Sequence, residues 1–244
     1  MRVLVVTAVA AERDAVVRGV ASAATGTMEA VEIAVPGGYV LHRVTAPLAV
    51  DVLAAGVGPA AAAAAAATAL TAATLAGAPY GLVVSAGIGG GFTDGTAGAP
   101  VGSVVVSDAI VAADLGAETP DGFVPVTDLG FGTVEHRPPE SLVHAVATAT
   151  GAQRGEILTV STVTGSAERA RALAALRPGA LIEAMEGFGV AEAAAAHGVP
   201  ALEIRAVSNA VGPRDRAAWR IGEALQALTK AFGALPGALA GGAP

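Results

Sequence analysis

The sequence predicts an α/β fold, a central sheet with helices packed on both of its faces. Four short apolar runs rich in Val and Ile, Val3 to Thr7, Leu82 to Ser85, Ser103 to Ser107 and Leu202 to Val207, lack the alternation of a half-wet strand and read as strands covered on both sides. Helical stretches lie between them, and such alternation of element types builds a sheet sandwiched by helices. The 244 residues show no repeat of fixed period and no polar linker between two compositions, so one domain is expected.

The first strand needs its own justification, because Arg2 followed by an apolar run ending Ala8-Val9-Ala10 mimics a signal peptide. The run is only about nine residues, near the lower limit of a signal core, and acidic Glu12 follows at once, so it reads as a buried strand. A helix is expected over Ala11 to Val20. Val31 to Val35 and Leu41 to Val44 resemble a hairpin turning on Pro36-Gly37-Gly38-Tyr39. Val52 to Phe92 carries no formal charge, which raises the question of a membrane span. Most of it is weakly hydrophobic Ala, Gly and Thr, cut into pieces by Gly56, Gly58, Pro59, Gly77 and Pro79, and no span is expected. Within it Pro59 to Leu75 reads as a helix, its Ala60 to Ala67 run being strongly helix-forming and suited to tight packing. Further helices are expected at Pro139 to Thr150, Ala167 to Leu176, Glu186 to His197 and Ala217 to Phe232, with a weaker strand at Ile157 to Val160. The domain is set at residues 1–232, and 233–244, without polar periodicity, is expected to fray.

Composition narrows the function. With 53% apolar and 14% charged residues the chain can bury a sizeable core, which rules out disorder as its main state. A net charge of −7, one lysine (Lys230) and no run of arginines leave no stripe to neutralise successive phosphates, so nucleic acid is not an expected partner. The absence of cysteine removes disulfides and thiolate chemistry and suits a reducing compartment. His42, His136, His144 and His197 lack metal-ligand spacing, and neither H-E-x-x-H nor G-x-S-x-G occurs.

Four segments carry candidate chemistry. Val84-Ser85-Ala86-Gly87-Ile88-Gly89-Gly90-Gly91 follows a strand, so its glycines either let backbone approach a ligand or make a plain turn; the spacing is not a dinucleotide fingerprint. Glu12 opens a helix after the first strand, where a carboxylate also suits the helix dipole. Glu183-Ala184-Met185-Glu186-Gly187 opens another helix, and Gly187-Phe188-Gly189 is a costly start unless something must come close. Ile204-Arg205-Ala206-Val207-Ser208-Asn209 is a buried strand ending in two polar side chains, at the edge where α/β sheets place ligand groups. After it come Val211-Gly212-Pro213-Arg214-Asp215-Arg216 and Trp219, the one tryptophan, either a core anchor or part of a lid.

In order and spacing these segments resemble the purine nucleosidase and phosphorylase superfamily over nearly the whole chain. Ser208-Asn209 with Val211-Gly212-Pro213-Arg214-Asp215 and Trp219 is most similar to its futalosine hydrolase family, relatives of methylthioadenosine/S-adenosylhomocysteine nucleosidase that serve the alternative menaquinone pathway. The resemblance implies a single-domain three-layer sandwich around a mixed, mostly parallel sheet, like nucleoside phosphorylases. It also implies a small-molecule nucleoside substrate, no metal or other cofactor, no membrane partner and a cytoplasmic enzyme that is a homodimer or higher homo-oligomer. In the implied reaction, hydrolysis of an N-glycosidic bond, Glu12 is the general base, Glu186 grips the ribose 2′- and 3′-hydroxyls and Met185 packs on the sugar. Gly87 and Ile88 of the glycine segment, Val163 or Thr164, Ser208 and Trp219 fall where substrate contacts are expected. Asn209 stands where adenosine-type nucleosidases have aspartic acid. Its amide can donate to O6 or N7 of hypoxanthine but cannot act as an acid. Asp215 is then the candidate to protonate the base or orient a water that does, unless it only pairs with Arg214 or Arg216; either arginine is a candidate for the substrate's benzoate carboxylate. Asp114 to Arg137 is the stretch with which one copy would wall its neighbour's pocket. Three alternatives remain: a nucleosidase for methylthioadenosine or adenosylhomocysteine, a phosphorylase holding phosphate at Arg13, Arg43, Ser85 and Gly87, and a binding protein without turnover.

Overall fold

The computed structural model describes residues 1–24, 29–93 and 98–241. The chain runs β1 (Arg2–Thr7), α1 (Ala10–Ser22), β2 (Val31–Val35), β3 (Tyr39–Val44), β4 (Ala49–Ala54), α2 (Pro59–Leu75), β5 (Leu82–Gly91) and β6 (Val104–Ala112). It continues through β7 (Gly116–Thr119), β8 (Gly122–Pro125), β9 (Glu135–His136), α3 (Glu140–Thr150), β10 (Gln153–Thr159), α4 (Ala167–Leu176), β11 (Ala180–Ala184), α5 (Gly187–Ala196), β12 (Ala201–Ala210) and α6 (Ile221–Gly241). The large sheet has the order β11-β10-β6-β12-β5-β1-β4-β3-β2, with β9 on the side of β6, while β7 and β8 form a separate hairpin.

The sheet is mixed and its centre is parallel. Strands β12, β5, β1 and β4 run parallel to one another, as do β6, β10 and β11; β12 meets β6 antiparallel, and β4, β3 and β2 form an antiparallel edge. Alternation along β1 explains the three layers, because successive side chains point to opposite faces. Val3 and Val5 pack with Val16 and Val20 of α1, Val143 and Val146 of α3 and Leu228 and Phe232 of α6. Leu4 and Val6 face Ala62, Ala65, Ala66 and Ala69 of α2 and Val190 and Ala194 of α5. The alanine run thus presents a buried stripe at helical spacing, as the low-complexity segment suggested.

Two differences from expectation bear on the site. The glycine segment is neither a turn nor a loop: β5 continues through it to Gly91, and its end also pairs antiparallel with β11, Gly90 opposite Glu183 and Gly91 opposite Ile182. A Cβ at Gly91 would stand 2.0 Å from the carbonyl oxygen of Ala99, so this course of the backbone excludes a side chain. Strand β4 escaped notice because Asp51 interrupts its apolar run. In the fold Asp51 is neutralised by Arg2 at 2.6 Å, by Arg43 at 2.7 and 2.9 Å and by the Tyr80 hydroxyl at 2.6 Å. Burial alone would push its carboxyl up, but these partners outweigh it and hold it below the usual carboxylate range.

The frayed tail expected from Gly233 is instead the continuation of α6 to Gly241, with residues 242–244 outside the described part. Leu235 and Leu239 are buried in the cluster that holds α1 and α6 against the sheet, and apolar burial rather than polar periodicity orders this segment. Leu235→Ala is expected to lower stability by about 2–5 kcal/mol in urea denaturation; a change under about 0.5 kcal/mol, the scale of a surface substitution, would contradict that packing. Among the described residues no helix is long and apolar enough to cross a membrane.

Candidate active site

The carboxyl ends of β1, β5 and β12 lie side by side, and the chain leaving them supplies the site. Glu12 sits in the first turn of α1 and is buried. Its Oε2 accepts from the backbone N–H of Ala8 at 3.0 Å and of Val9 at 3.3 Å, and its Oε1 from that of Ile88 at 2.9 Å. One side chain therefore both serves the helix start and ties it to β5. A carboxylate offers about four lone-pair positions, so three fixed N–H donors orient it and leave one position open.

Across from Glu12 lies Arg205, a charge within the buried run of β12. Arg205 of β12 stands opposite Gly87 of β5 and is 1% exposed. A Cβ at Gly87 would come within 2.6 Å of both Arg205 Nη1 and Glu12 Oε1, so only glycine lets the guanidinium and the carboxylate share this place. Nη1 meets Glu186 Oε2 at 3.1 Å and the carbonyl of Ile88 at 3.4 Å; Nη2 donates to Ser85 Oγ at 3.1 Å, and Nε to Glu203 Oε1 at 2.8 Å. Glu186, buried at the start of α5, also accepts from the Gly58 N–H at 3.1 Å through Oε1.

The other expected residues surround this centre less tightly. Met185 is half-buried between β11 and Glu186. Ser208 is buried and Asn209 half-buried at the end of β12. Ser208 Oγ lies 2.8 Å from Asn209 Oδ1 and 3.2 Å from the Gly89 carbonyl, and its single proton serves one of them at a time. Asn209 Nδ2 donates to the Ala210 carbonyl at 2.9 Å. Thr164 is buried with its N–H and hydroxyl both given to Glu183, so exposed Val163 is the free member of that pair. Burial pushes the Glu183 carboxyl up, against the pull of Thr164. Asp215 is exposed and caps the 3-10 turn Arg216–Ala218 through the Ala217 N–H at 3.0 Å; no ion pair joins it to Arg214 or Arg216 among the described residues. This turn displaces the start of α6 from the expected Ala217 to Ile221. The Arg214 guanidinium lies 5.8 Å from the ring centre of half-buried Trp219.

A family model described as "Phosphorylase superfamily" matches residues 2–239. A futalosine hydrolase of Streptomyces coelicolor is 66% identical over 235 residues, covering 96% of this chain and 95% of that protein. The chain belongs to the futalosine hydrolase family of the phosphorylase superfamily. A second member of the family, from Acidothermus cellulolyticus, is 46% identical over 95% of this chain and 89% of its own. Among solved structures, the futalosine hydrolase of Helicobacter pylori superposes with a TM-score of 0.77 at 19% identity over 97% of both chains. A methylthioadenosine/S-adenosylhomocysteine nucleosidase of Colwellia psychrerythraea, solved with adenine, gives 0.75 at 22% identity over 96% of both. These two likenesses confirm the fold.

In this member of the superfamily the centre gathers three buried carboxylates, Glu12, Glu186 and Glu203, around one buried guanidinium. Burial disfavours the charge on Arg205, but Glu203, Glu186 and Glu12 together outweigh it and hold the guanidinium protonated. Burial pushes the Glu203 carboxyl up, Arg205 opposes this and Glu186 adds to it, to about 7. The sequence did contain a signal for this pair. Leu202, Ile204 and Ala206 alternate with Glu203 and Arg205, so β12 has an apolar face in the main core and a charged face that is buried rather than wet.

Proposed function

We propose that this chain is a futalosine hydrolase, which breaks the bond between the ribose and hypoxanthine with water and releases hypoxanthine and dehypoxanthine futalosine for menaquinone biosynthesis. The observation that carries the chemistry is the pairing of Glu12 and Glu186 about Arg205; the substrate follows from the family. Glu12 takes a proton from the attacking water through its open lone-pair position, the water oxygen bonds to C1′, and the C1′–N bond electrons leave with the base. Glu186, held at one point by Arg205 and at one by Gly58, keeps lone pairs for the ribose 2′- and 3′-hydroxyls. These bonds strengthen as the sugar gains positive charge, which lowers the barrier rather than only tightening binding. Met185 packs on the sugar, Gly87 and Ile88 line the backbone floor, and Val163 and Trp219 flank the base. Asp215 supplies or relays the proton that the base takes, and Arg214 meets the benzoate carboxylate.

Selectivity for a 6-oxopurine follows from Asn209. Oδ1 lies against Ser208 Oγ and one of the two N–H groups on Nδ2 is used by Ala210, so the second N–H of Nδ2 is the donor offered to the base. Hypoxanthine O6 or N7 accepts it, while a 6-amino group meets a like donor, at a cost of about 1–3 kcal/mol. Asn209→Asp is expected to move the ratio of kcat/KM for adenine over hypoxanthine nucleosides by about tenfold to hundredfold; an unchanged ratio would remove Asn209 from base selection.

Phosphorolysis is disfavoured by specific contacts. Arg43 is held by Asp51 and Arg13 by Asp14 at 2.7 Å, which offsets the charge they would offer a phosphate, and the Glu12 carboxylate beside the nucleophile repels an anion there. Incubation with futalosine, inosine and methylthioadenosine, with and without phosphate, tests the whole reading. Free hypoxanthine from futalosine, independent of phosphate, is expected; a phosphate requirement or faster release of adenine would overturn it. The reading also takes the enzyme to be cytoplasmic and a homodimer or larger homo-oligomer. Exposed Phe123, Leu129 and Phe131 within Asp114 to Arg137 support a neighbour-facing role for that stretch.

A further inference from the structure

Glu203 is completely buried, yet only one of its carboxylate oxygens is used. Oε1 accepts from Arg205 Nε at 2.8 Å, whereas Oε2 has no hydrogen-bond partner among the described residues. Oε2 fills the space that a Cβ at Gly187 would take, only 2.0 Å away, and Gly187 is the first residue of α5, immediately after Glu186. A buried carboxylate oxygen left without a hydrogen bond costs about 1–3 kcal/mol, more for a charged group. Its presence therefore calls for a use beyond folding.

The use lies in what Arg205 would do without it. A guanidinium prefers two parallel bonds to a carboxylate, and Glu186 is the partner within reach. Such a fork would occupy both Glu186 oxygens on the side that the sugar hydroxyls need. Glu203 prevents it by taking Nε, while Ser85 takes Nη2, so that Glu186 is met by Nη1 alone. We propose that Glu203 is a positioning residue for the sugar-binding carboxylate, holding Arg205 in a one-point contact that leaves Glu186 open to the ribose. This rests on the reading of Glu186 as the ribose ligand.

Glu203→Leu and Glu203→Gln, assayed with futalosine beside the parent, test it. Gln keeps an acceptor for Nε and is expected to hold KM within about threefold of the parent, less than one hydrogen bond is worth. Leu removes the acceptor and is expected to raise KM by about tenfold or more and to lower kcat as well, the loss of a ribose hydroxyl bond that strengthens in the transition state, with a Tm close to the parent's because Arg205 keeps Glu186 as its partner. Parental KM in the Leu variant, or a fall in kcat and Tm together in both variants, would overturn the proposal. If the parent itself does not hydrolyse futalosine, the failure belongs to the functional reading, and the same comparison is made by calorimetric binding of inosine, where the Leu variant alone is expected to bind about tenfold more weakly. Equal binding by all three proteins would overturn the proposal there.

Discussion

Glu12→Gln is expected to lower futalosine turnover by about 10²–10⁴-fold, the usual contribution of a general base. The substitution keeps the shape of the side chain but not its donor–acceptor character. Three N–H groups converge on the carboxylate, two on Oε2 and one on Oε1. The glutamine oxygen will take the Ala8 and Val9 side, which leaves its amide nitrogen facing the Ile88 N–H at a cost of about 1–3 kcal/mol in stability. Because Glu12 reaches neither the ribose hydroxyls nor the base in this reading, nucleoside affinity is expected to stay within about threefold, less than one hydrogen bond. Hypoxanthine release by chromatography and nucleoside binding by calorimetry separate the two effects. Turnover within about tenfold of the parent, below the range a general base contributes, would assign the base elsewhere.

Arg205→Met is expected to destabilise the protein by about 3–5 kcal/mol near pH 8, as removal of one partner from a buried ionic group does. It takes away the one buried cation among the described residues and leaves Glu12, Glu186 and Glu203 facing one another. The pH dependence has a definite sign. Glu203 already titrates at about 7 in the folded protein against an ordinary 4.5, and Arg205 is what pulls it down, so the variant moves it higher still. A carboxyl raised on folding contributes stability that is present below its unfolded value and lost as the pH climbs through its folded value. The deficit of the variant is therefore expected to be small near pH 5 and to grow toward pH 8 in urea titrations. An equal deficit at both values would show that lost packing, not charge, is responsible.

Much of the architecture was legible from pattern alone. The apolar runs of β1 and of the first halves of β5 and β6, with the helical stretches of α2 through α5, mark segments where the pattern and the packing agree. What escaped reading was polar chemistry inside the core. Asp51 in β4 and Glu183 in β11 look like strand breakers until their distant partners arrive, Arg2, Arg43 and Tyr80 for the first and Thr164 for the second. The candidate site divides the same way. Glu12, Glu186, Ser208 and Asn209 announce themselves at element ends, where ligands are expected. Arg205 and Glu203 sit within a strand, and only their spacing of two residues betrays a shared face. The tail was misjudged because Leu235 and Leu239 bury themselves against a helix more than two hundred residues earlier in the chain, a relation no local window contains.

The position of β12 between β5 and β6 has a consequence for biogenesis. In the chain β12 follows every other strand of this sheet, so until it emerges β5 and β6 expose edges that it later covers. A nascent or truncated chain ending before residue 201 lacks both the strand that lies between β5 and β6 and the guanidinium that neutralises the buried acids. Such fragments are expected to be prone to aggregation, because the candidate site and the sheet are completed together in one late step of synthesis.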